Sequence, residues 1–215
     1  MEKTNKDPLI IYYGFSTDHR TEHEQILLGL EPKPLLAKII KERKKEDNNY
    51  RIDYDKLGMA SPGYHACTAL HEIIKSTYII NSPIDAEVFF DEYGRVILGQ
   101  GKNPGAFISR VGSFENSFSA DLFYDILLFS EESVEVKITP AYMDKTLISD
   151  YGYPSASQMN IGKWFRPLPI VFHLWPGVKE FKMAEGEPIL YMHFENPLKR
   201  PIILKEFKIT DELTK

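Results

Sequence analysis

From Thr77 onward the chain is a succession of short apolar runs cut by turn residues, and nothing else in the sequence constrains its fold as much. The runs are TYII, AEVFF, RVILG, AFISRV, LFYDILLF, VEVKIT, IVFHLW, EFKM, PILYMHF and PIILKEFKIT. Each is too short for a stable helix and rich in β-branched or aromatic residues, which suit a pleated, half-buried surface. No helical pattern separates them, so the crossover helices that a parallel sheet requires are missing. Antiparallel pairing in a sandwich or barrel is therefore expected. Asp91-Glu92-Tyr93-Gly94 and Ala184-Glu185-Gly186-Glu187 lie between such runs and read as hairpin connections.

The first third reads differently. PLIIYYG, residues 8–14, is a strand-like run that ends at glycine. Residues 18–28 start acidic and end apolar before Gly29, which predicts a helix of about three turns. In residues 31–47, Leu35, Leu36, Ile39 and Ile40 form one stripe that Arg43, Lys44 and Lys45 break, which predicts a second helix. Ser61 and Pro62 suit a cap and first turn, and Ala66, Ala69, Leu70, Ile73 and Ile74 follow at helical spacing. The expected class is α+β, mainly an antiparallel β sandwich or barrel with two or three helices in the N-terminal third. Polar residues 48–58 mark a boundary. Residues 1–57 are expected to form a strand-helix-helix segment packed on the core, and residues 58–215 a helix plus the antiparallel β domain.

Composition bounds the function. Hydrophobic residues make up 43% of 215, with 13 Phe and 12 Tyr, enough to bury a core and too many for a disordered chain. No run approaches the length of a membrane-crossing helix, and MEKTNKDPLI lacks the apolar stretch of a signal peptide, so an unexported protein with no membrane role is expected. The net charge of −5 disfavours tracking along nucleic-acid phosphates. One cysteine, Cys67, excludes an intrachain disulfide.

The chemical motifs are sparse. His19-Arg20-Thr21-Glu22-His23 has the H-x-x-E-H spacing that sets two histidines one helical turn apart, so His19 and His23 are weak metal candidates. The pattern is short, and a solvated helical turn is the preferred reading. Cys67 and His71 share a helical flank that His65 does not, so only two ligands converge. His173 and His193 fall in strand-like runs and could face each other across paired strands; hydrogen-bonded histidines at a sheet surface are the preferred account. Gly99-Gln100-Gly101-Lys102-Asn103-Pro104-Gly105 fails the P-loop test, because Val96 stands at the first glycine position and Asn103 replaces the hydroxyl residue. Gly-x-Ser-x-Gly is absent, so no nucleophile elbow is announced. No cofactor is expected.

Residues 144–163 read as a long polar loop centred on Tyr151-Gly152-Tyr153-Pro154, and Trp164-Phe165-Arg166 follow it. Aromatic and arginine side chains are enriched where proteins touch, so Tyr151, Tyr153, Trp164, Phe165 and Arg166 are the candidate contact surface. Trp175 is expected to be a core anchor instead.

Two stretches carry a resemblance: Trp164 to Pro169 with Phe181 to Tyr191, and the passage CTALHEIIKSTYIINSPID from Cys67 to Asp85. About half the chain thereby resembles uncharacterised proteins encoded by tailed phages of marine and aquatic bacteria. That resemblance implies the cytoplasm of an infected bacterial host, or the virion, and no catalytic residue. The turn Gly186-Glu187-Pro188-Ile189 resembles the glycine turn before the last core strand of dUTPase-like β-clip trimers, but the other motifs of that family are not found. The functional expectation is a noncatalytic protein acting through protein contact or self-association. The alternative is an enzyme or binder of a small phosphorylated metabolite or nucleotide, with its site between subunits.

Overall fold

The computed structural model describes residues 7–15, 32–35, 37–38, 41, 73–93, 95–101, 108–114, 117–122, 126–168 and 170–207. Their strands are β1 (Leu9–Phe15), β2 (Lys33–Pro34), β3 (Thr77–Asn81), β4 (Ala86–Phe90), β5 (Val96–Gly101), β6 (Ile108–Phe114), β7 (Ser117–Leu122) and β8 (Ile126–Phe129). They continue with β9 (Glu135–Pro140), β10 (Gly152–Pro154), β11 (Ser157–Asn160), β12 (Ile170–Leu174), β13 (Glu180–Met183), β14 (Pro188–Phe194) and β15 (Ile202–Glu206). Four sheets result, in the orders β15-β1-β8, β10-β12-β7-β6, β11-β9-β14-β3-β2 and β13-β4-β5.

The two-residue period explains how these strands share one core. Ile170, Phe172 and Leu174 of β12 point inward, as do Phe181 and Met183 of β13 and Ala86, Val88 and Phe90 of β4. Burying each such large side chain is worth about 1.5–3 kcal/mol. Phe181 lies 5.6 Å from Phe172 and 5.9 Å from Phe90, ring centre to ring centre, so an aromatic cluster joins two of the sheets. The five-stranded sheet is buried on both faces. Tyr78, Ile80, Leu190, Met192 and Phe194 face the main core, whereas Ile79 and Tyr191 face a smaller cluster with Leu35, Ile74 and Ala141. That is why β14 is buried almost continuously instead of alternating.

Among the described residues the expected α+β class is corrected to one that is mostly β strand, in several sheets. Among the described residues no helix reaches seven residues, and the one helical element with complete bounds is a 3-10 turn at Ile148–Asp150. The helix expected over 18–28 lies outside the described residues, as do most of those expected over 31–47 and from Ser61. Where the second was expected to begin, Lys33 and Pro34 instead pair with Ile79 and Tyr78 at a sheet edge. A proline suits an edge, because it has no N–H to give to a further strand. Helical backbone is described at residues 35, 37–38, 41 and 73–75.

Three further expectations change. Pairing is not wholly antiparallel, since β1 runs parallel to β15 from Leu9↔Ile202 to Tyr13↔Glu206 while pairing antiparallel with β8. Asp91 does close a hairpin between β4 and β5, with Oδ1 accepting from the Tyr93 and Arg95 N–H groups. The turn at Ala184 to Glu187 is no hairpin: β13 pairs with β4, and β14 with β3 and β9. Gly186 supplies its left-handed φ of 80°. Finally, residues 144–163 are no open loop, for they contain the 3-10 turn, β10 and β11, the last paired with β9 from Ser157↔Ile138 to Asn160↔Glu135.

Candidate functional site

The five residues of the expected contact surface are divided among three environments. Tyr151 is half-buried and packs against the main core. Tyr153 stands on the outer face of β10, opposite His173 of β12, with its ring 5.5 Å from the imidazole and 5.0 Å from Trp175. Trp175 is 43% exposed rather than a core anchor, and its indole N–H donates to the Ser149 carbonyl at 3.3 Å. The parity of β12 accounts for this, because Leu174 takes the inward position and the next residue must face out.

His173 Nε2 lies 2.5 Å from Ser155 Oγ. A serine on an imidazole is the first half of an activated nucleophile, which also needs a group to orient the ring. Among the described residues no carboxylate hydrogen-bonds His173, so the pair fastens β10 to β12. His173 and His193 do not face each other, since they stand in different sheets. Both are nevertheless hydrogen-bonded at a sheet surface.

Trp164, Phe165 and Arg166 form the third environment. Leu168 N–H donates to the Ile126 carbonyl, and Pro167 bridges Leu127, so the segment is pinned to β8. Phe165 meets Phe129 edge-on at 5.7 Å, and Phe129 in turn stacks on Tyr12 at 4.7 Å. Phe165 is therefore the outer member of an aromatic cluster on the β15-β1-β8 sheet, and it stays 48% exposed. Trp164, 43% exposed, carries the Arg166 guanidinium 5.1 Å over its ring. A guanidinium stacked on indole is worth about 0.5–1 kcal/mol at such a site and holds both groups in one geometry.

A fourth feature escaped sequence reasoning. A cleft of about 660 Å³ opens where residues 73–76 lead into β3, beside the end of β14 and the turn at residues 196–200. Lys75, Ser76, His193, Asn196, Lys199 and Arg200 are on its wall. The Asn196 side chain clamps the turn, its Oδ1 accepting from the Arg200 N–H and its Nδ2 donating to the Arg200 carbonyl. Lys199 is held there at a φ of 51°, a conformation that favours glycine. Arg200 is buried and gives one N–H to Glu132 Oε2 at 2.7 Å, while its Nε has no hydrogen-bond partner among the described residues. The dipeptide Asn196-Pro197 does announce a turn in the sequence; nothing there announces a cavity.

His193 is tied to β3 through Thr77, whose hydroxyl lies 2.7 Å from the Ile73 carbonyl and 3.2 Å from His193 Nδ1. Burial lowers the pKa of His193, with Lys137 acting in the same direction and the Ile73 carbonyl and Glu195 opposing. Burial thus favours the neutral ring. Two residues earlier on the same face of β14 the Tyr191 hydroxyl donates to Asp144 at 2.5 Å, and Lys38 ion-pairs with that carboxylate. Burial foremost, and then the carboxylate, raise the Tyr191 pKa, so this phenol stays protonated and serves as a bolt.

His19, His23, Cys67 and His71 lie outside the described residues. Among the described residues no group of three or more His, Cys, Asp or Glu is placed to hold a metal, and no helix is long and apolar enough to cross a membrane. Compared with known proteins, the chain matches no family model, no curated protein and no solved structure.

Proposed function

We propose that this chain acts noncatalytically, by contact with another protein or with a second copy of itself, through the surface formed by Trp164, Phe165 and Arg166. In the phage setting that the sequence resemblance implies, the contact is proposed to be made in an infected bacterial cytoplasm or in a virion. One observation carries the reading: two aromatic side chains, each more than two-fifths exposed, stand beside a stacked arginine on a segment anchored by backbone hydrogen bonds. Rings held rigid before contact lose little freedom on binding, and half-exposed aromatics with arginine are the residues that dominate binding energy. Tyr153 and Trp175 form a second exposed aromatic pair, beside the β10-β12 ladder.

The test is native mass spectrometry of the wild-type chain beside Trp164→Ser and Arg166→Ala, alone and after incubation in extract from phage-infected cells. Assembly, or one stoichiometric captured chain, is expected for the wild type and not for either variant, with unchanged melting temperatures. A bare wild-type monomer in both settings, or equal binding by both variants, would overturn the proposal.

A further inference from the structure

We propose that the surface at Trp164 to Arg166 receives an acidic segment of another protein, one that sets a carboxylate against the edge of Arg166 and an apolar side chain against Phe165. This names a partner class for the contact surface and rests on that reading.

A second stacked arginine in the same molecule points to the carboxylate. Arg95 lies 5.2 Å over the Tyr93 ring, and its Nε donates at 2.6 Å to Asp91 Oδ2. Stacking occupies the flat face of a guanidinium and leaves the N–H groups at its edge for an acceptor, and a planar carboxylate fits that edge with two parallel hydrogen bonds. Arg166 is stacked in the same way, 5.1 Å over Trp164, but among the described residues its N–H groups have no acceptor. Lys163 is exposed nearby in the chain, and among the described residues its ammonium has no ion-pair or hydrogen-bond partner either. The arrangement at Arg95 is complete within the chain, whereas the one at Arg166 lacks its anion.

Phe165 sets the second requirement. Its exposed ring is backed by Phe129 and Phe207, so a partner gains by laying an apolar side chain on it next to the carboxylate. The net charge of −5 does not oppose an acidic partner, because salt screens charges beyond about 8 Å and the contact is governed by the charges nearest to it. Single-stranded nucleic acid also stacks on aromatic rings beside arginine, but it calls for an excess of cations along its phosphates, and the chain has 31 acidic residues against 26 basic ones. A carboxylate elsewhere on a second copy would make a head-to-tail contact, which propagates unless it closes into a ring, so another protein is the partner assigned.

Fluorescence anisotropy with the full chain tests this. The probes are labelled peptides that alternate leucine and phenylalanine with glutamate, with glutamine or with lysine, and a labelled oligothymidylate. The wild type is expected to bind the glutamate peptide about tenfold more tightly than the glutamine peptide. That affinity should fall about tenfold in Arg166→Lys, which keeps the charge and loses the fork, and several-fold in Lys163→Gln or when salt is raised from about 0.05 to 0.5 M. Arg95→Lys, at the stack whose edge is already filled, should bind as the wild type does, and all three variants should melt at the wild-type temperature. Equal binding of the glutamate and glutamine peptides, lost in Trp164→Ser, would overturn the carboxylate and leave the contact surface standing. No binding of the glutamate peptide, full binding by Arg166→Lys, an equal loss in Arg95→Lys, or tighter binding of oligothymidylate would also overturn the inference. Assembly of the chain alone that Arg166→Lys abolishes would give the carboxylate to a second copy and overturn the choice of another protein.

Discussion

Alanine at Gly152 is expected to unfasten β10 from its sheet. A Cβ there would lie 1.9 Å from the His173 carbonyl oxygen, 2.8 Å from its carbonyl carbon and 2.9 Å from Leu174 Cα. All three neighbours are backbone atoms of β12, so no side chain can swing aside. Ordinary contact requires roughly 1.5 Å more, and β10 must retreat by about that distance. The retreat stretches Ser155 N–H to Val171 O, now 2.7 Å, and Trp175 N–H to Tyr151 O, now 2.9 Å, beyond bonding range. Each lost bond costs about 1 kcal/mol, and each group left unpaired in a partly buried place costs about 1 kcal/mol more. Adding the packing of Tyr153 on Trp175 brings the total to about 3–5 kcal/mol, a large part of the stability of a domain. Gly186→Ala provides the comparison. Its added Cβ meets nothing within 4 Å, and only the left-handed φ is strained, at about 1–2 kcal/mol. Urea unfolding of both variants, with Trp175 fluorescence as a local probe, measures the difference. A Gly152→Ala loss no larger than that of Gly186→Ala would refute the close-approach argument. Gly162, whose Cβ would lie 2.1 Å from the Glu132 carbonyl oxygen, should behave like Gly152.

Two further outcomes are expected. Because burial lowers the pKa of His193 in the folded chain, its contribution to stability is complete above the ordinary value of 6.5 and is lost as pH falls below it, where the unfolded chain takes up the proton first. The difference in unfolding free energy between the wild type and His193→Gln should therefore shrink between pH 7.5 and 5, and a constant difference would contradict the assigned shift. For the ion pair of Arg200 with Glu132, removing the more exposed carboxylate strands a buried guanidinium, whereas Arg200→Met leaves a carboxylate that water can reach. Glu132→Ala should thus cost about 2–3 kcal/mol and exceed Arg200→Met in thermal unfolding; the reverse order would refute it.

The sequence speaks clearly where burial and local pattern agree. β4 and β12 alternate strictly between inside and outside, and the turn at Asp91 closes a neighbouring pair, so these elements could be read directly. The turn at Gly186 was equally legible as a turn, but local chemistry cannot say that β13 and β14 leave it for different sheets. β10 and β11 have only three and four residues with mixed exposure, too few to set an alternation above a polar background. Trp175 was expected in the core as a large aromatic residue, although counting parity from Phe172 turns it outward. The cleft was not legible, because residues 73–76, His193 and Lys199 meet only through sheet pairing and one clamped turn.

The place of β1 between β8 and β15 has a kinetic consequence. Leu9 finds its parallel partner in Ile202, 193 positions later, so this sheet closes across a very long loop. Contacts so distant incur their ordering entropy before they return any stability, which makes their formation slow. On the ribosome β1 emerges before the other described strands and gains its second neighbour only with β15, the last of them. Until residue 206 has been added it has an unpaired edge, and Ile11, buried in the finished protein, has an incomplete core to enter. This sheet is therefore completed only after β15 has emerged, and the interval before that is when β1 is most exposed to pairing with the wrong strand.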